Sequence, residues 1–140
     1  MGIGAGSFEL ISEHKSIFVG SRLLMLGNQQ MFLDTLSEDS LQGIKKSEVS
    51  TSPNFFKFLG CKEVLSLDVS DYEAATIIAD LNLEPHENGL TNQASTFDVI
   101  FDGGTMEHVF HVPNFLLNMT TLLKVGGRAI HITPMSNHID

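Results

Sequence analysis

Residues Phe97 to Pro134 constrain the fold more than any other stretch of this chain. They read Phe-Asp-Val-Ile-Phe-Asp-Gly-Gly-Thr-Met-Glu-His-Val-Phe-His, then a run with helical spacing, then Leu-Leu-Lys-Val-Gly-Gly-Arg-Ala-Ile-His-Ile-Thr-Pro. The pattern is a strand at 97–101, a polar turn, a helix from about Pro113 to Lys124, a Gly-Gly turn and a second strand at 128–133. In the helical run Phe115, Leu116, Met119, Leu122 and Leu123 fall on one face. Two strands joined through a helix belong to a parallel sheet. Such a sheet presents ligands at the carboxyl ends of its strands. Asp102, Thr105, Glu107 and His108 crowd the turn at that place.

The rest of the chain repeats the alternation. Phe8, Ile11, Lys15 and Phe18 have the spacing of a short leading helix. Arg22–Leu26 is a short apolar run closed by Gly27, as expected of a strand buried on both faces. Asn28 to Leu41 is ambiguous, and 37–51 is polar and reads as irregular. Pro53 opens a helix over 54–59 that stops at Gly60. A second strand at 64–67 ends on Asp68. Residues 73–79 fit helix or strand, and the β-branched Thr76, Ile77 and Ile78 favour a short strand ending on Asp80. Residues 82–96 read as a polar loop. The simplest architecture is an α/β domain with a doubly wound, mostly parallel sheet and right-handed crossovers. All 140 residues fit one domain, with 1–20 as an N-terminal extension or helix and 21–134 as the core.

Composition narrows the function classes. Seventeen acidic residues against 8 Lys and Arg give a net charge of −9. That argues against general nucleic-acid binding, which needs basic clusters. The single cysteine, Cys61, cannot form an internal disulfide and suits a reducing compartment. It reads as core filler rather than a nucleophile. No run reaches the ~18 apolar residues of a membrane span, and no secretory signal is visible. The expected location is the cytoplasm.

Several residues are candidates for a site. Gly2-Ile3-Gly4-Ala5-Gly6 looks like a phosphate loop, but a phosphate loop must connect a strand to a helix. With only Met1 before it, this segment is expected to be a flexible terminus. Gly27 lets the chain turn sharply after the first strand, and Asn28, Gln29 and Gln30 offer hydrogen-bond donors there. An ordinary polar turn is the alternative. Asp68, at the end of the second strand, is placed to accept from two ribose hydroxyls, or else is a cap or turn residue. Asp71 lies near enough to substitute. Asp80 is either an acceptor for an exocyclic adenine amine or a plain loop acid. Gly103 and Gly104 permit close backbone approach, and Glu107 and His108 either orient a ligand and move protons or cap a helix. His108 and His111 are three apart and lack a convincing third ligand, so no metal is expected. His131 lies within a strand and reads as a satisfied sheet residue. Pro134, Asn137 and His138 fall beyond the last strand, at the ligand edge or in a frayed end.

In its order of parts the chain resembles class I S-adenosylmethionine-dependent methyltransferases of the Rossmann-like type, over roughly Arg22 to Pro134. The Phe-Asp-Val-Ile-Phe-Asp-Gly-Gly-Thr-Met-Glu-His-Val segment and the later Leu-Leu-Lys-Val-Gly-Gly carry the resemblance, with Val125 where the family usually has proline. The resemblance implies S-adenosylmethionine as cofactor. It implies Gly27 as the first glycine of the cofactor loop, Asp68 as the ribose acid, Asp80 as the adenine acid, and Asp102 and Gly103 beside the methionine part. Glu107 and His108 match the Glu-His pair that closes the turn.

There are departures from the family. Its first loop runs acid-x-Gly-x-Gly-x-Gly, whereas Met25, Gln29 and Met31 stand here in place of the acid and the later glycines. Side chains there crowd a cofactor or reroute the loop. Gly27 and Asp68 are 41 positions apart, against about 20 in dinucleotide-binding folds, so an insertion is expected between Asp34 and Pro53. Family members continue with two further strands, while this chain ends at Asp140. The expectation is a core without that hairpin, a fragment or a reduced domain, whose last strand is open to pairing in a homodimer.

The function implied is methyl transfer from S-adenosylmethionine to an unidentified acceptor, with His108 or His111 as the base if one assists. A degenerate or truncated binding domain without activity is the alternative. A nicotinamide-dependent oxidoreductase is weaker, since the glycine pattern and a Tyr-Lys pair are missing and Tyr72 is the sole tyrosine.

Overall fold

The run Leu23–Leu26 has no polar face, so it is stable as a strand only where both of its sides are covered. The computed structural model, which describes residues 2–41 and 43–133, buries all four of these residues at the centre of a sheet. In chain order the strands are β1 (Gly2–Ile3), β2 (Arg22–Leu26), β3 (Gln30–Met31), β4 (Glu63–Asp68), β5 (Ile77–Ile78), β6 (Phe97–Asp102) and β7 (Leu123–His131). The helices are α1 (Ala5–Glu13), α2 (Glu38–Leu41), α3 (Ser52–Phe58) and α4 (Val112–Leu122).

Five strands form one parallel sheet in the order β5-β4-β2-β6-β7. The chain builds outward from β2 to β4 and β5, then returns to lay β6 on the other side of β2. The strand order therefore reverses between β2 and β6, where a crevice opens at the carboxyl ends. Side-chain alternation divides the core in two. Leu23, Met25, Val99 and Phe101 pack against Phe8 and Ile11 of α1 and Phe55 and Phe56 of α3. Leu24, Leu26, Leu67 and Ile100 pack against Phe115, Met119 and Leu122 of α4. Aromatic contacts tie the first half together, with Phe8 stacked on Phe55 at 4.7 Å and Phe56 tilted against Phe101 at 5.0 Å. The sheet is thus covered on both faces, as the apolar patterning predicts.

At the opposite, amino-terminal end Asp98 joins three strands. It accepts from the Arg22 backbone N–H at 2.8 Å and pairs with Lys124 Nζ at 2.8 Å. The Lys124 hydrogen bond, then the Arg22 N–H, hold its carboxyl below the ordinary range. Arg22 also pairs with Glu63 at 2.7 Å and lies 4.9 Å over the Phe97 ring.

Several local expectations are corrected. The Gly2–Gly6 segment is not a loose end. Ile3 is buried, β1 pairs in parallel with β3, and Gly4 precedes α1. The leading helix stops at Glu13 and gives way to a 3-10 turn at Lys15–Ile17. The segment read as irregular holds the short α2 and a 3-10 turn at Lys46–Val49, whose Leu41 and Val49 close the core. The strand before Asp80 is only two residues long. The strand after α4 begins at Leu123, not Arg128. Phe97 pairs with Leu123 and Val99 with Arg128, so residues 124–127 stand opposite Asp98 alone and the Gly126-Gly127 turn lies within β7 rather than before it. Cys61 is buried beside Ser21 Oγ, and that burial pushes its thiol above the ordinary value. Among the described residues no helix is long and apolar enough to cross a membrane.

Candidate functional site

Leu26 pairs with both Leu67 and Asp102, so the tips of β2, β4 and β6 end level with one another. Gly27 follows Leu26 with φ +71°, a left-handed conformation that costs a side-chain-bearing residue about 1–2 kcal/mol. Its N–H donates to Leu67 O at 2.7 Å. A Cβ placed on Gly27 would lie 3.6 Å from Asp68 Oδ2, 3.8 Å from Gln29 Nε2 and 3.9 Å from Thr105 Oγ1. Three loops far apart in sequence therefore meet at one glycine.

Two adjoining cavities open there. The larger, about 740 Å³, is lined by residues 26–31, by 50–53 ahead of and into α3, by Glu73 and by Gly103, Gly104, Thr105 and His108. The smaller, about 340 Å³, runs over β4 and β5 and is lined by Asp68, Asp80, Leu81, Asn82 and Val109 among others. Gly104, Thr105 and His108 line both, so the turn after β6 is their common wall. Neither lining contains Lys or Arg, and together they include the acidic residues Asp68, Glu73 and Asp80.

The departures in the first loop have a physical resolution. Gln29 does not project outward. Its Nε2 donates to Leu26 O at 2.9 Å and its backbone N–H donates to Ser52 Oγ at 3.1 Å. Its Oε1 is buried and meets no hydrogen-bond partner among the described residues. Gly103 makes the room: a Cβ there would meet that oxygen at 2.6 Å and Gln29 Cδ at 2.7 Å. The loop is rerouted and a glycine on a neighbouring strand tip accommodates it. Asn28 donates to Glu73 O at 2.6 Å, which draws the loop after β4 over the larger cavity.

The carboxylates differ in their commitments. Asp68 Oδ1 accepts from Ser70 N–H at 3.3 Å while Oδ2 faces Gly27. Asp80 Oδ1 accepts from the Asn82 backbone and side chain at 2.9 and 2.8 Å. Asp102 is wholly buried and lines neither cavity. Its Oδ1 accepts from Gly104 and Thr105 N–H at 3.1 and 2.6 Å, and its Oδ2 lies 3.0 Å from His131 Nδ1.

The candidates after β6, Glu107 with His108 as the turn-closing pair and His108 or His111 as the base, are placed apart from one another. His108 ends a 3-10 turn at Met106–His108 and stands at the junction of the cavities. Glu107 is exposed and lines neither. His111 caps α4, its Nδ1 accepting from Asn114 N–H at 3.1 Å. Pro134, Asn137 and His138 lie outside the described residues. Sequence reasoning missed Ser52 and Glu73, which reach the larger cavity only through tertiary hydrogen bonds that no local pattern announces.

No protein-family profile matches the sequence, and no curated protein matches it. Among solved structures the chain is similar to the trans-methyltransferase CalH in complex with SAH, with a TM-score of 0.53 and 19% identity. The similarity covers 89% of this chain and 36% of that one, so this chain spans well under half of the neighbour's length. At that identity the likeness establishes a fold alone: the chain is a parallel five-stranded sheet flanked by helices, a Rossmann-like α/β architecture that it shares with that neighbour.

Proposed function

We propose that the chain binds S-adenosylmethionine across the two cavities and supports methyl transfer to an acceptor whose identity is open. The observation that carries this is the lining. Two cavities that share a wall are lined by acidic residues and by no Lys or Arg. A unit charge ~5 Å from a carboxylate interacts by about 3 kcal/mol at an effective dielectric near 20. That sign favours a ligand bearing an ammonium and a sulfonium and disfavours the pyrophosphate of a nicotinamide dinucleotide.

The residues fit an adenosyl group by their chemistry. Asp68 supplies the free Oδ2 for ribose hydroxyls and Asp80 a carboxylate for an adenine amine. Gly27, Asn28, Gln29 and Gly103 shape the side that takes the amino-acid part. Bound there, the cofactor supplies a methyl group activated by its sulfonium for attack by a nucleophile. The chain's contribution is proximity and orientation. No nucleophile of its own is needed. His108, at the junction, is placed for an imidazole nitrogen to take an acceptor's proton; His111, committed to its helix cap, is the weaker choice. The neighbour's complex with SAH supports the same use of the fold.

A second reading, ligand binding without transfer, is favoured by the filled first loop, where Gln29 stands in place of a family glycine. Calorimetric titration with S-adenosylmethionine, its demethylated product and a nicotinamide dinucleotide tests both. Micromolar binding of the first two, weakened about 10–100-fold in Asp68→Ala by loss of charge-assisted hydrogen bonds, is expected. Tighter binding of the dinucleotide, or no heat at millimolar cofactor, contradicts the proposal. Binding with no transfer of labelled methyl to any of a panel of acceptors favours the second reading.

A further inference from the structure

The Asp102–His131 pair belongs to neither cavity, yet it sits behind the wall that both share. Asp102 ends β6, His131 ends β7, and the two are register partners. The carboxylate is completely buried, while the His131 side chain is 30% exposed and tilts against the Phe115 ring at 6.0 Å. Three groups converge on the carboxylate: the N–H groups of Gly104 and Thr105 donate to Oδ1, and His131 Nδ1 lies 3.0 Å from Oδ2. A carboxylate only accepts, so Nδ1 carries the proton and Nε2 is left on the outer side of the ring. Thr105 extends the network across the site, since its Oγ1 donates to Leu26 O at 2.9 Å. The chain of contacts thus runs from His131 through Asp102 to the 103–105 turn, and from there to the tip of β2.

We propose that His131 is a positioning residue for the ligand crevice. It donates to Asp102 Oδ2, which orients the carboxylate so that Oδ1 holds the N–H groups of Gly104 and Thr105. Those residues form the wall that both cavities share. Without the third donor a buried carboxylate oxygen is left unpaired, and the cheapest relief is for Asp102 to rotate and release the turn. The part played by His131 in ligand binding rests on the cofactor proposal above. Its grip on the turn does not.

Two variants separate donation from packing. His131→Asn places an N–H donor where Nδ1 stood; His131→Phe keeps the ring against Phe115 and removes the donor. Amide hydrogen exchange reads the turn directly and needs no ligand. Exchange at Gly104 and Thr105 is expected to quicken at least about tenfold in His131→Phe and to stay within about twofold in His131→Asn, while amides of β2 and β4 keep their protection. Affinity for the demethylated cofactor product follows the same order, down about tenfold in the first and restored in the second. Asp102→Asn adds a spectroscopic signature. Its amide nitrogen faces His131 while its oxygen keeps the turn, so ¹⁵N shifts report the ring proton moved from Nδ1 to Nε2. Equal exchange in both His131 variants, or an unchanged turn in His131→Phe, overturns the inference. If the wild-type protein binds no cofactor product, the cofactor proposal fails, and the exchange data alone decide what His131 does.

Discussion

Gln29 and Gly103 show how one residue's departure from a pattern is absorbed by another. The amide of Gln29 folds back onto Leu26 O and occupies the space above Gly103. In Gly103→Ala the new methyl would also meet the Phe101 ring at 3.0 Å. Overpacking of this kind costs about 1–3 kcal/mol. Gln29→Ala loses one hydrogen bond, worth about 1 kcal/mol, and also removes a buried oxygen that meets no partner among the described residues, which offsets part of that loss. Denaturant unfolding of the single and double variants is expected to be non-additive, the double variant being more stable than the sum of the singles. Additive losses would mean that the two side chains do not share the space. The unusual glutamine was legible in the sequence; its resolution was not, because the accommodating glycine sits on another strand tip.

Among elements, α4 and the amino-terminal clamp carry the clearest tests. His111 accepts from Asn114 N–H, so His111→Ala is expected to cost about 0.5–2 kcal/mol as a lost cap, with His111→Asn near wild type. Cofactor affinity stays constant in both. A drop in affinity without a drop in stability would place His111 in the site after all. Asp98 has its folded-state value lowered by Lys124 and by the Arg22 N–H. The sign follows: its contribution is present above the unfolded value of about 4 and is lost as pH falls through the lower folded value. Its side chain is 38% exposed, so solvent screening keeps the effect small. Thermal midpoints of Asp98→Asn are expected to fall below wild type near neutral pH and to converge with it in acid. A gap that widens in acid would contradict this. Long apolar runs announced β2 and β6 because burial on both faces needs continuous apolar sequence. The β1–β3 pair, two residues a side, and the place of the Gly126-Gly127 turn within β7 left no such mark, since both depend on partners brought in by the fold.

For the whole molecule, a doubly wound parallel sheet was readable from the alternation of elements, whereas the spatial order of its strands and the level tips of β2, β4 and β6 come from the pairing itself. Side-chain direction was not readable. Asp68 and Asp102 look alike in sequence as acids ending strands, yet one offers an oxygen beside Gly27 while the other turns wholly into the core. The proposed function requires those tips to form one crevice for an adenosyl ligand without phosphates. Amide chemical-shift mapping of the ¹⁵N-labelled protein with the demethylated cofactor product tests it most directly. Perturbations are expected at Gly27–Met31, Ser50–Ser52, Asp68, Glu73, Asp80–Asn82 and Gly103–Val109, with Arg22, Asp98 and Lys124 at the far end unmoved. Shifts centred on that far end, or none at millimolar ligand, would contradict it.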